Sequence, residues 1–262
     1  AGWAIGQREG LEKLTRAERV RMALEELGPT FVKMGQILST RPDLIPIEFL
    51  DELSKLQDNV PPFDFEQVKD ILEEELRCPL HERFQSLDDK PLAAASIGQV
   101  HRARTHEGVE VAVKVQYPGV DEAVAADLEN TDLLFQLMGM LFPGLDPAPI
   151  VGELRDRLLE ELDYRNEATN QQLFVDAYRG HPYIHVPDVL HELSTGRVLT
   201  TEFAEGSRFA DVVDWPDDER QLTAECLFRF AFGGIYGLHA FNGDPHPGNY
   251  IFHHGGRITF LD

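Results

Sequence analysis

The segment that most constrains the fold is residues 242–262, NGDPHPGNYIFHHGGRITFLD. Asp244 and Asn249 stand five positions apart after a long apolar helical pattern, and two short strand-like runs then lead to Asp262. A magnesium–nucleotide site uses one Asp near the acceptor oxygen, an Asn on the metal, and a second Asp on the metal beyond a β-hairpin. The segment therefore predicts Asp244 as a catalytic residue and Asn249 and Asp262 as Mg²⁺ ligands.

The charge balance narrows the range of partners. Asp and Glu number 46 against 24 Lys and Arg, which gives a formal net charge of −22. Such a surface repels nucleic acid and anionic lipid headgroups, so we expect no nucleic-acid partner. The same composition is typical of a halophilic protein, whose self-repulsion is screened by salt, and an ordinary acidic cytosolic protein is the alternative.

Targeting signals are not visible in the sequence. It has no run of 18 or more apolar residues and no basic segment followed by an apolar one, so neither a membrane span nor a secretory signal is expected. The sequence opens on Ala and closes on Asp262, inside the motif described above. We therefore expect a fragment of a longer, cytoplasmic protein.

Hydrophobic periodicity predicts helices in the first part of the chain and strands after it. Gly28 is expected to end one helix and Thr30 to cap the next. Residues 84–119 alternate around a His-Glu-Gly turn, as a β-hairpin does. Residues 151–178 read as one long helix, and residues 185–193 and 197–206 as strand-like segments.

Lys114 lies in the alternating run VEVAVKVQ, on the same strand face as Ala112. A Lys in mid-strand needs an anionic partner, which nucleotide phosphates or a helix Glu would supply. Glu167 is the candidate for that Glu, because a mid-strand Lys needs such a partner. Asp163 and Glu167 lie four apart on one helix face and Glu161 points elsewhere, so the helix could present carboxylates to two different cations. Taken alone, Lys114 is better explained as an exposed residue of an edge strand, and the order of the other segments is what favours a functional role.

Two further patterns suggest contacts with a ligand. The run AAASIGQVH occupies the place of a phosphate-covering loop, with Ala93, Ala94 and Ala95 where glycines are usual and Ser96 as a phosphate donor. A helical N-cap at Ser96 is the alternative. Lys33 and Gln36, in KMGQ, lie three apart on one helix face, where they reach a polar site or, as the simpler alternative, are solvated. Gly35 between them indicates close packing or bending.

Together these segments resemble the UbiB family of atypical kinase-like proteins, whose bacterial and mitochondrial members support ubiquinone biosynthesis. The resemblance rests on five motifs that follow one another in order, namely FVKMGQILSTRPDLIPIEFLDELSKLQDNVPPF, AAASIGQVHRA, VAVKVQYPGV, ELDYRNEATN and FNGDPHPGN. It implies an α+β, protein-kinase-like two-lobe fold with an N-terminal helical extension and an incomplete large lobe.

The resemblance also implies roles for particular residues. Lys33 and Gln36 would fold over the active site, with Lys33 paired to Glu161 and Asp163. Lys114 and Glu167 would form the ion pair that aligns the nucleotide. The remaining implied roles are the hinge at the adenine for Glu202 and Phe203, the catalytic acid for Asp244, and Mg²⁺ binding for Asn249 and Asp262.

Three domains follow from the same resemblance. Residues 1–82 would be the helical extension with its KxGQ motif, residues 83–203 the small lobe, and residues 204–262 the start of the large lobe. Many bacterial members carry C-terminal membrane helices, so a place at the inner face of the membrane is compatible with a cytoplasmic protein.

The expected function is that of an ATPase or small-molecule or lipid-linked kinase that binds ATP or ADP with Mg²⁺. A nucleotide-sensing scaffold of a biosynthetic complex and a phosphotransferase of the aminoglycoside/choline-kinase kind are the alternatives. Expected partners are isoprenoid or quinone-precursor lipids and quinone-biosynthesis proteins. An apolar stripe in the N-terminal helices is a candidate lipid site or, more simply, core (Phe31, Ile37, Leu44, Ile45, Phe49, Leu50).

Overall fold

The computed structural model describes residues 14–42, 45–56, 62–94, 97–129, 139, 146–241 and 246–261. The chain divides into two compact units. The helical unit consists of residues 1–62, 94–98 and 117–162, and the sheet unit of residues 63–93, 99–116 and 163–262.

The secondary structure of the described residues mixes helices with two sheets, which confirms the α+β class. The helices are α1 (Arg16–Leu27), α2 (Pro29–Ser39), α3 (Ile47–Leu53), α4 (Phe65–Leu76), α5 (Leu80–Arg83), α6 (Val120–Glu129), α7 (Pro147–Glu161), α8 (Tyr164–Tyr178), α9 (Phe209–Val212) and α10 (Asp217–Gly233). The strands are β1 (Phe84–Leu87), β2 (Ala93–Ala94), β3 (Gly98–Thr105), β4 (Glu110–Gln116), β5 (Ile184–His185), β6 (Val198–Glu202), β7 (Tyr250–His253) and β8 (Arg257–Phe260).

The first two helices are joined at a single glycine. Thr15 opens α1 with a capping box, in which its hydroxyl accepts from the Glu18 amide and the Glu18 carboxylate accepts from the Thr15 amide. Gly28 ends α1 at φ +112°, a conformation that glycine adopts without strain. Pro29 then begins α2 directly, so the prediction that Thr30 caps α2 is wrong: Thr30 lies buried inside the helix.

The apolar stripe of the N-terminal helices belongs to the core of the helical unit. Phe31, Ile45 and Phe49 are 2%, 4% and 4% exposed. Ile37 and Leu50 are half-buried, and Leu44 lies outside the described residues. The structure therefore favours packing over a lipid site for this stripe.

The single helix predicted over residues 151–178 is in fact two helices. α7 ends at Glu161, and Asp163 adopts an extended conformation and accepts the Arg165 amide at 3.1 Å as the N-cap of α8. Apolar spacing runs through the break, but a capping Asp competes with the helical backbone and favours a new start. Glu161 and Asp163 therefore do not share a helix, which corrects the arrangement expected from the sequence.

The larger sheet holds the strand that carries Lys114. Its strands run in the order β1-β3-β4-β6, with β2 also paired to β3, and the β3–β4 hairpin turns at residues 106–109, as predicted. The inward face of β4 is fully buried at Val111, Val113 and Val115. These valines pack with Leu72 of α4 in one hydrophobic cluster. The opposite face presents Ala112 and Lys114, as the alternation predicted.

The smaller sheet has the order β5-β8-β7. β7 and β8 form the predicted antiparallel hairpin, whose turn carries Gly255 and Gly256 at φ of +81° and +80°. β5 pairs with β8 in parallel, with Ile184 opposite Ile258. Of the segment predicted as strand at 185–193, only His185 lies in a named strand. Val189 forms an isolated bridge with Thr201, and residues 191–193 form a 3₁₀ turn.

Candidate functional site

Lys114 and Glu167 form the ion pair expected from the sequence. The Lys114 ammonium lies 2.8 Å from both carboxylate oxygens of Glu167, in the first turn of α8. Both side chains are about three-quarters buried, with 23% and 24% exposed. Partial burial reduces solvent screening, so this pair is stronger and better ordered than a surface ion pair.

Tyr164 is a third member of this group that the sequence did not reveal. Its ring is 1% exposed and lies under the Lys114 ammonium, 4.8 Å from nitrogen to ring centroid. The Tyr164 amide donates to the Gly196 carbonyl at 2.9 Å, just before β6. That bond fixes the start of α8, and therefore Glu167, against the sheet that carries Lys114.

The predicted partners of Lys33 are divided between the two units. Within the helical unit, the Lys33 ammonium lies 3.0 Å from Glu161 Oε2. Asp163 belongs to the sheet unit, where it caps α8 and has Oδ2 at 3.7 Å from the Arg165 guanidinium. The Lys33–Glu161 pairing is therefore present, and Asp163 has a structural task of its own.

Gln36 and Gly35 anchor the KMGQ helix to the segment that follows α3. The Gln36 amide donates to the Leu56 carbonyl at 3.3 Å. A Cβ at Gly35 would lie 2.3 Å from Leu56 Cδ1 and 2.9 Å from Leu24 Cδ1, so only glycine fits without displacement. The close packing expected at Gly35 is therefore present.

The Ala-rich segment is only partly described. Ala93 and Ala94 form the exposed strand β2 beside β3, while Ala95 and Ser96 lie outside the described residues. The neighbouring Leu92 amide donates to the Val100 carbonyl at 2.7 Å. The first two alanines therefore continue the sheet, and a helix does not begin there.

The residues that follow the Ala-rich segment form a buried polar relay. The Phe63 amide donates to Gln99 Oε1 at 2.9 Å, the Gln99 amide nitrogen lies 2.9 Å from His101 Nε2, and His101 Nδ1 lies 2.8 Å from the Asp88 carbonyl. Since a carbonyl only accepts, the network assigns the His101 hydrogen to Nδ1. Burial is the main cause that lowers the pKa of His101, which favours the neutral ring.

The hinge segment, residues 202–206 at the end of β6 and beyond, has both of its predicted contact side chains engaged. The Glu202 carboxylate lies 3.1 Å from His185 Nε2, and this hydrogen bond is the main cause that lowers the pKa of Glu202. The Phe203 ring lies 4.4 Å from the Arg102 guanidinium. Their amides donate to carbonyls of Asp188 and Glu110.

Asn249 ends a 3₁₀ turn, Pro247–Asn249, immediately before β7. His246 caps this turn by accepting the Gly248 amide on Nδ1 at 3.1 Å, a role that the sequence did not indicate. The Leu261 amide donates to the Asn249 carbonyl at 2.9 Å. Asp244 and Asp262 lie outside the described residues, but the residue before Asp262 lies beside Asn249.

Two general properties of the described residues bear on the site. No group of three His, Cys, Asp or Glu side chains among them is arranged to hold a metal ion. No helix in the described part of the chain has the length and apolar content needed to cross a membrane. Of the two predicted Mg²⁺ ligands, Asn249 is an amide within that part and Asp262 lies outside it.

Comparison with known proteins gives a consistent family. The family model of the ABC1 atypical kinase-like domain matches residues 55–262. An Arabidopsis thaliana protein named ACTIVITY OF BC1 COMPLEX KINASE 8, chloroplastic, is 36% identical over 100% of this chain and 35% of its own length. A Pseudomonas putida protein named "Probable protein kinase UbiB" is 38% identical over 90% of this chain and 45% of its own length.

A solved structure agrees with these relatives. The complex of Rv3197 with erythromycin from Mycobacterium tuberculosis has a TM-score of 0.70 and 38% identity, covering 96% of this chain and 64% of that one. The chain thus spans less than half of the two curated relatives named above. The family match and the mixture of helices and sheets confirm the kinase-like fold expected from the sequence. This chain belongs to the ABC1/UbiB family of atypical kinase-like proteins.

Proposed function

We propose that this chain binds Mg²⁺-ATP or Mg²⁺-ADP and acts as an atypical kinase or ATPase of the UbiB type, in support of quinone or isoprenoid-lipid biosynthesis. The observation that carries the proposal is the Lys114–Glu167 ion pair on the half-buried face of β4. A fixed ammonium group of this kind orients nucleotide phosphates in kinase-like proteins. Tyr164 supports the same ammonium group from below.

We propose roles at this site for Asn249, Asp262 and Asp244. Asn249 lies beside the residue that precedes Asp262, which suits a pair of Mg²⁺ ligands on one hairpin. Asp244 is the residue that we propose accepts the proton of the acceptor hydroxyl. When bound, Mg²⁺ would neutralise charge on the phosphate oxygens.

Phosphate and adenine contacts are proposed for two further segments. Ala93, Ala94, Ala95 and Ser96 would cover the phosphates. Adenine would contact the backbone of the hinge segment, since the Glu202 and Phe203 side chains are engaged by His185 and Arg102. Lys33, Gln36, Glu161 and Asp163 would restrict access of a protein acceptor, which favours a small-molecule or lipid acceptor.

The proposed location is the cytoplasm, at or near the inner face of a membrane. Isoprenoid or quinone-precursor lipids and quinone-biosynthesis proteins are the partners that fit this role. The supporting observation is the similarity to a protein named for UbiB at 38% identity.

A thermal-melt titration tests nucleotide binding. Mg²⁺-ATP and Mg²⁺-ADP are added to wild type, Lys114→Ala and the control Lys69→Ala, which removes a half-exposed Lys of α4. A ligand specific to the folded state stabilises it by about 2.7 kcal/mol at a hundredfold its dissociation constant. We expect a Mg²⁺-dependent rise in wild type and control that Lys114→Ala lacks. No rise with either nucleotide in wild type would refute the proposal.

A nucleotide-sensing scaffold is separated from an enzyme by the variant Asp244→Asn. For an enzyme, hydrolysis of ATP and cellular function should both be lost while nucleotide binding remains. Cellular function that survives this change would instead support the scaffold. The aminoglycoside/choline-kinase alternative predicts that wild type transfers phosphate from ATP to an amino sugar or choline when either is added to the hydrolysis assay.

The solved relative suggests a second ligand for the same titration. Because its title names a complex with erythromycin and it is 38% identical to this chain, a macrolide is a further candidate ligand. A rise in melting temperature with erythromycin, in the presence and absence of Mg²⁺-ATP, would show whether the two ligands bind independently.

A further inference from the structure

Arg102, on β3, contacts the hinge segment and the neighbouring strand at once. Its Nε donates to Glu110 Oε2 at 2.9 Å, and one terminal nitrogen lies 2.9 Å from Glu205 Oε1. The guanidinium carbon lies 4.4 Å from the centre of the Phe203 ring. One planar cation therefore joins β4 to two alternate residues of the hinge segment.

The backbone of the hinge segment is also fixed at both ends. At its N-terminal end, the Phe203 amide donates to the Glu110 carbonyl at 3.0 Å. Just beyond its C-terminal end, Ser207 and Phe252 exchange two backbone hydrogen bonds of 2.9 Å. A Cβ at Gly206 would lie 2.6 Å from Ile251 Cγ2 and 2.8 Å from the Phe252 carbonyl oxygen, so the segment crosses β7 at the closest approach that glycine allows.

Between these two anchors, the described contacts that hold the hinge segment from the side are those of Arg102. Arg is suited to this task because its planar group stacks on an aromatic ring while its edge donates to carboxylates. A Lys at this position would keep the charge and lose both the planar stacking and the second donor nitrogen.

We propose that Arg102 is a positioning residue that holds the backbone of the hinge segment in the geometry needed to contact the adenine ring. The inference rests on the proposed function, since it concerns how the nucleotide base is recognised. Arg102 acts through Phe203 and Glu205 and does not itself touch the nucleotide.

The contacts of Arg102 with Phe203, Glu205 and Glu110 are called the brace below. Their exposure decides which measurement will detect the effect of the brace. The Arg102 side chain is 36% exposed, Glu110 38% and Glu205 68%. Ion pairs this exposed add little to global stability and weaken in salt. The brace therefore restricts local motion of a binding segment, which lowers the cost of ordering it when a ligand binds.

Two measurements on three variants test this role. Arg102→Leu removes the brace, and Arg102→Lys keeps only its charge. Arg104→Leu is the matched control, because Arg104 lies on the same strand and contacts Glu110 and Gly108. The first measurement is hydrogen exchange at the Phe203 and Ser207 amides without nucleotide. The second is calorimetric binding of Mg²⁺-ATP and of Mg²⁺-tripolyphosphate, which has no base.

The expected result separates base recognition from phosphate recognition. In Arg102→Leu, we expect faster exchange at both amides, a dissociation constant for Mg²⁺-ATP raised about tenfold, and less than about a twofold change for tripolyphosphate. Arg102→Lys should fall between Arg102→Leu and wild type. Arg104→Leu should match wild type in both measurements.

Each failure has a distinct meaning. Unchanged exchange and unchanged Mg²⁺-ATP affinity in Arg102→Leu would overturn the positioning role. An equal loss for Mg²⁺-ATP and tripolyphosphate would overturn it too, because the damage would then be general. If wild type binds neither ligand, the proposed function fails, and the exchange measurement alone still decides whether Arg102 orders the hinge segment.

Discussion

At the scale of single residues, the Lys114 ammonium group has two kinds of partner. The Glu167 carboxylate contacts it through both oxygens at 2.8 Å, and the Tyr164 ring lies beneath it. The carboxylate fixes its position, and the ring excludes water from one side. A cation placed over an aromatic face gains more when it is partly desolvated, as Lys114 is.

Replacing Tyr164 should separate its ring from its hydroxyl. We expect Tyr164→Leu to lower the free energy of unfolding by about 1–3 kcal/mol, because it leaves a gap at a residue that is 1% exposed. It should also weaken Mg²⁺-ATP binding, whereas Tyr164→Phe should keep most of that affinity. Urea unfolding and calorimetry measure the two effects, and equal binding losses in both variants would contradict a role for the ring.

The polar relay through His101 makes a prediction about pH. Because burial depresses the pKa of His101 in the folded state, the stability gained from the neutral ring is fully present above the unfolded value of 6.5. It is lost as pH falls from 6.5 towards the lowered folded pKa. Protonation would also place a hydrogen on Nε2, opposite the Gln99 donor.

Urea unfolding between about pH 7 and pH 5 checks this prediction. The free energy of unfolding of wild type should fall with decreasing pH, by at most about 1.4 kcal/mol per pH unit from this one proton. His101→Gln should show a shallower decline, while His106→Gln, at an exposed position, should keep the wild-type slope. A wild-type slope in His101→Gln would mean that other groups cause the decline.

At the scale of elements, Gly35 in α2 and Gly152 in α7 are two helical glycines that differ in the space available for a side chain. Both lie inside helices, where Ala is about 1 kcal/mol better than Gly. A Cβ at Gly35 would meet Leu56 and Leu24 at 2.3 and 2.9 Å, whereas a Cβ at Gly152 would have no atom within 4 Å. Steric fit and helix propensity therefore oppose each other at one site only.

The two alanine variants should change stability in opposite directions. We expect Gly35→Ala to lower the free energy of unfolding by about 1–3 kcal/mol through overpacking. Gly152→Ala should raise it by about 0.5–1 kcal/mol. Equilibrium urea unfolding of both variants gives the comparison, and a stabilised Gly35→Ala would show that the two leucines move aside easily.

Elements differ in how well the sequence predicts them. The alternation of apolar and polar residues predicted that Lys114 lies in a strand and on the same face as Ala112, because a two-residue period is unambiguous in VEVAVKVQ. The break between α7 and α8 did not, because apolar spacing continues across Leu162 and only the capping Asp163 marks the new start. Tyr164 and Arg102 were missed for another reason: their partners are distant in sequence and are chosen by tertiary packing.

At the scale of the whole molecule, the net charge of −22 is the dominant electrostatic fact. Like charges at this density repel one another and destabilise the compact state. Salt reduces the Debye length from about 10 Å at 0.1 M to about 3 Å at 1 M, which screens that repulsion. We propose on this ground that the protein works in a cytoplasm of high salt concentration.

The melting temperature should therefore rise between about 0.1 M and 1 M KCl. NaCl should give the same rise at equal concentration, since screening does not depend on the identity of the cation. Sorbitol at matched osmolality serves as the uncharged control and should give a smaller rise. A melting temperature that is flat or falls with KCl would show that loss of surface ion pairs outweighs the reduced repulsion.

The parallel pairing of β5 with β8 has a consequence for how the chain folds as it is synthesised. The order β1-β3-β4-β6 of the larger sheet is complete once β6 has been synthesised. Ile184 can pair with Ile258 only after β8 has been made. The Phe230 ring of α10 likewise waits for Phe260, at 3.6 Å between ring centroids. Contacts so distant in sequence form late. During synthesis, β4, which carries Lys114, can therefore pair within the larger sheet before the β7–β8 hairpin next to Asn249 has been made. Until then β5 is an unpaired strand that a chaperone could bind.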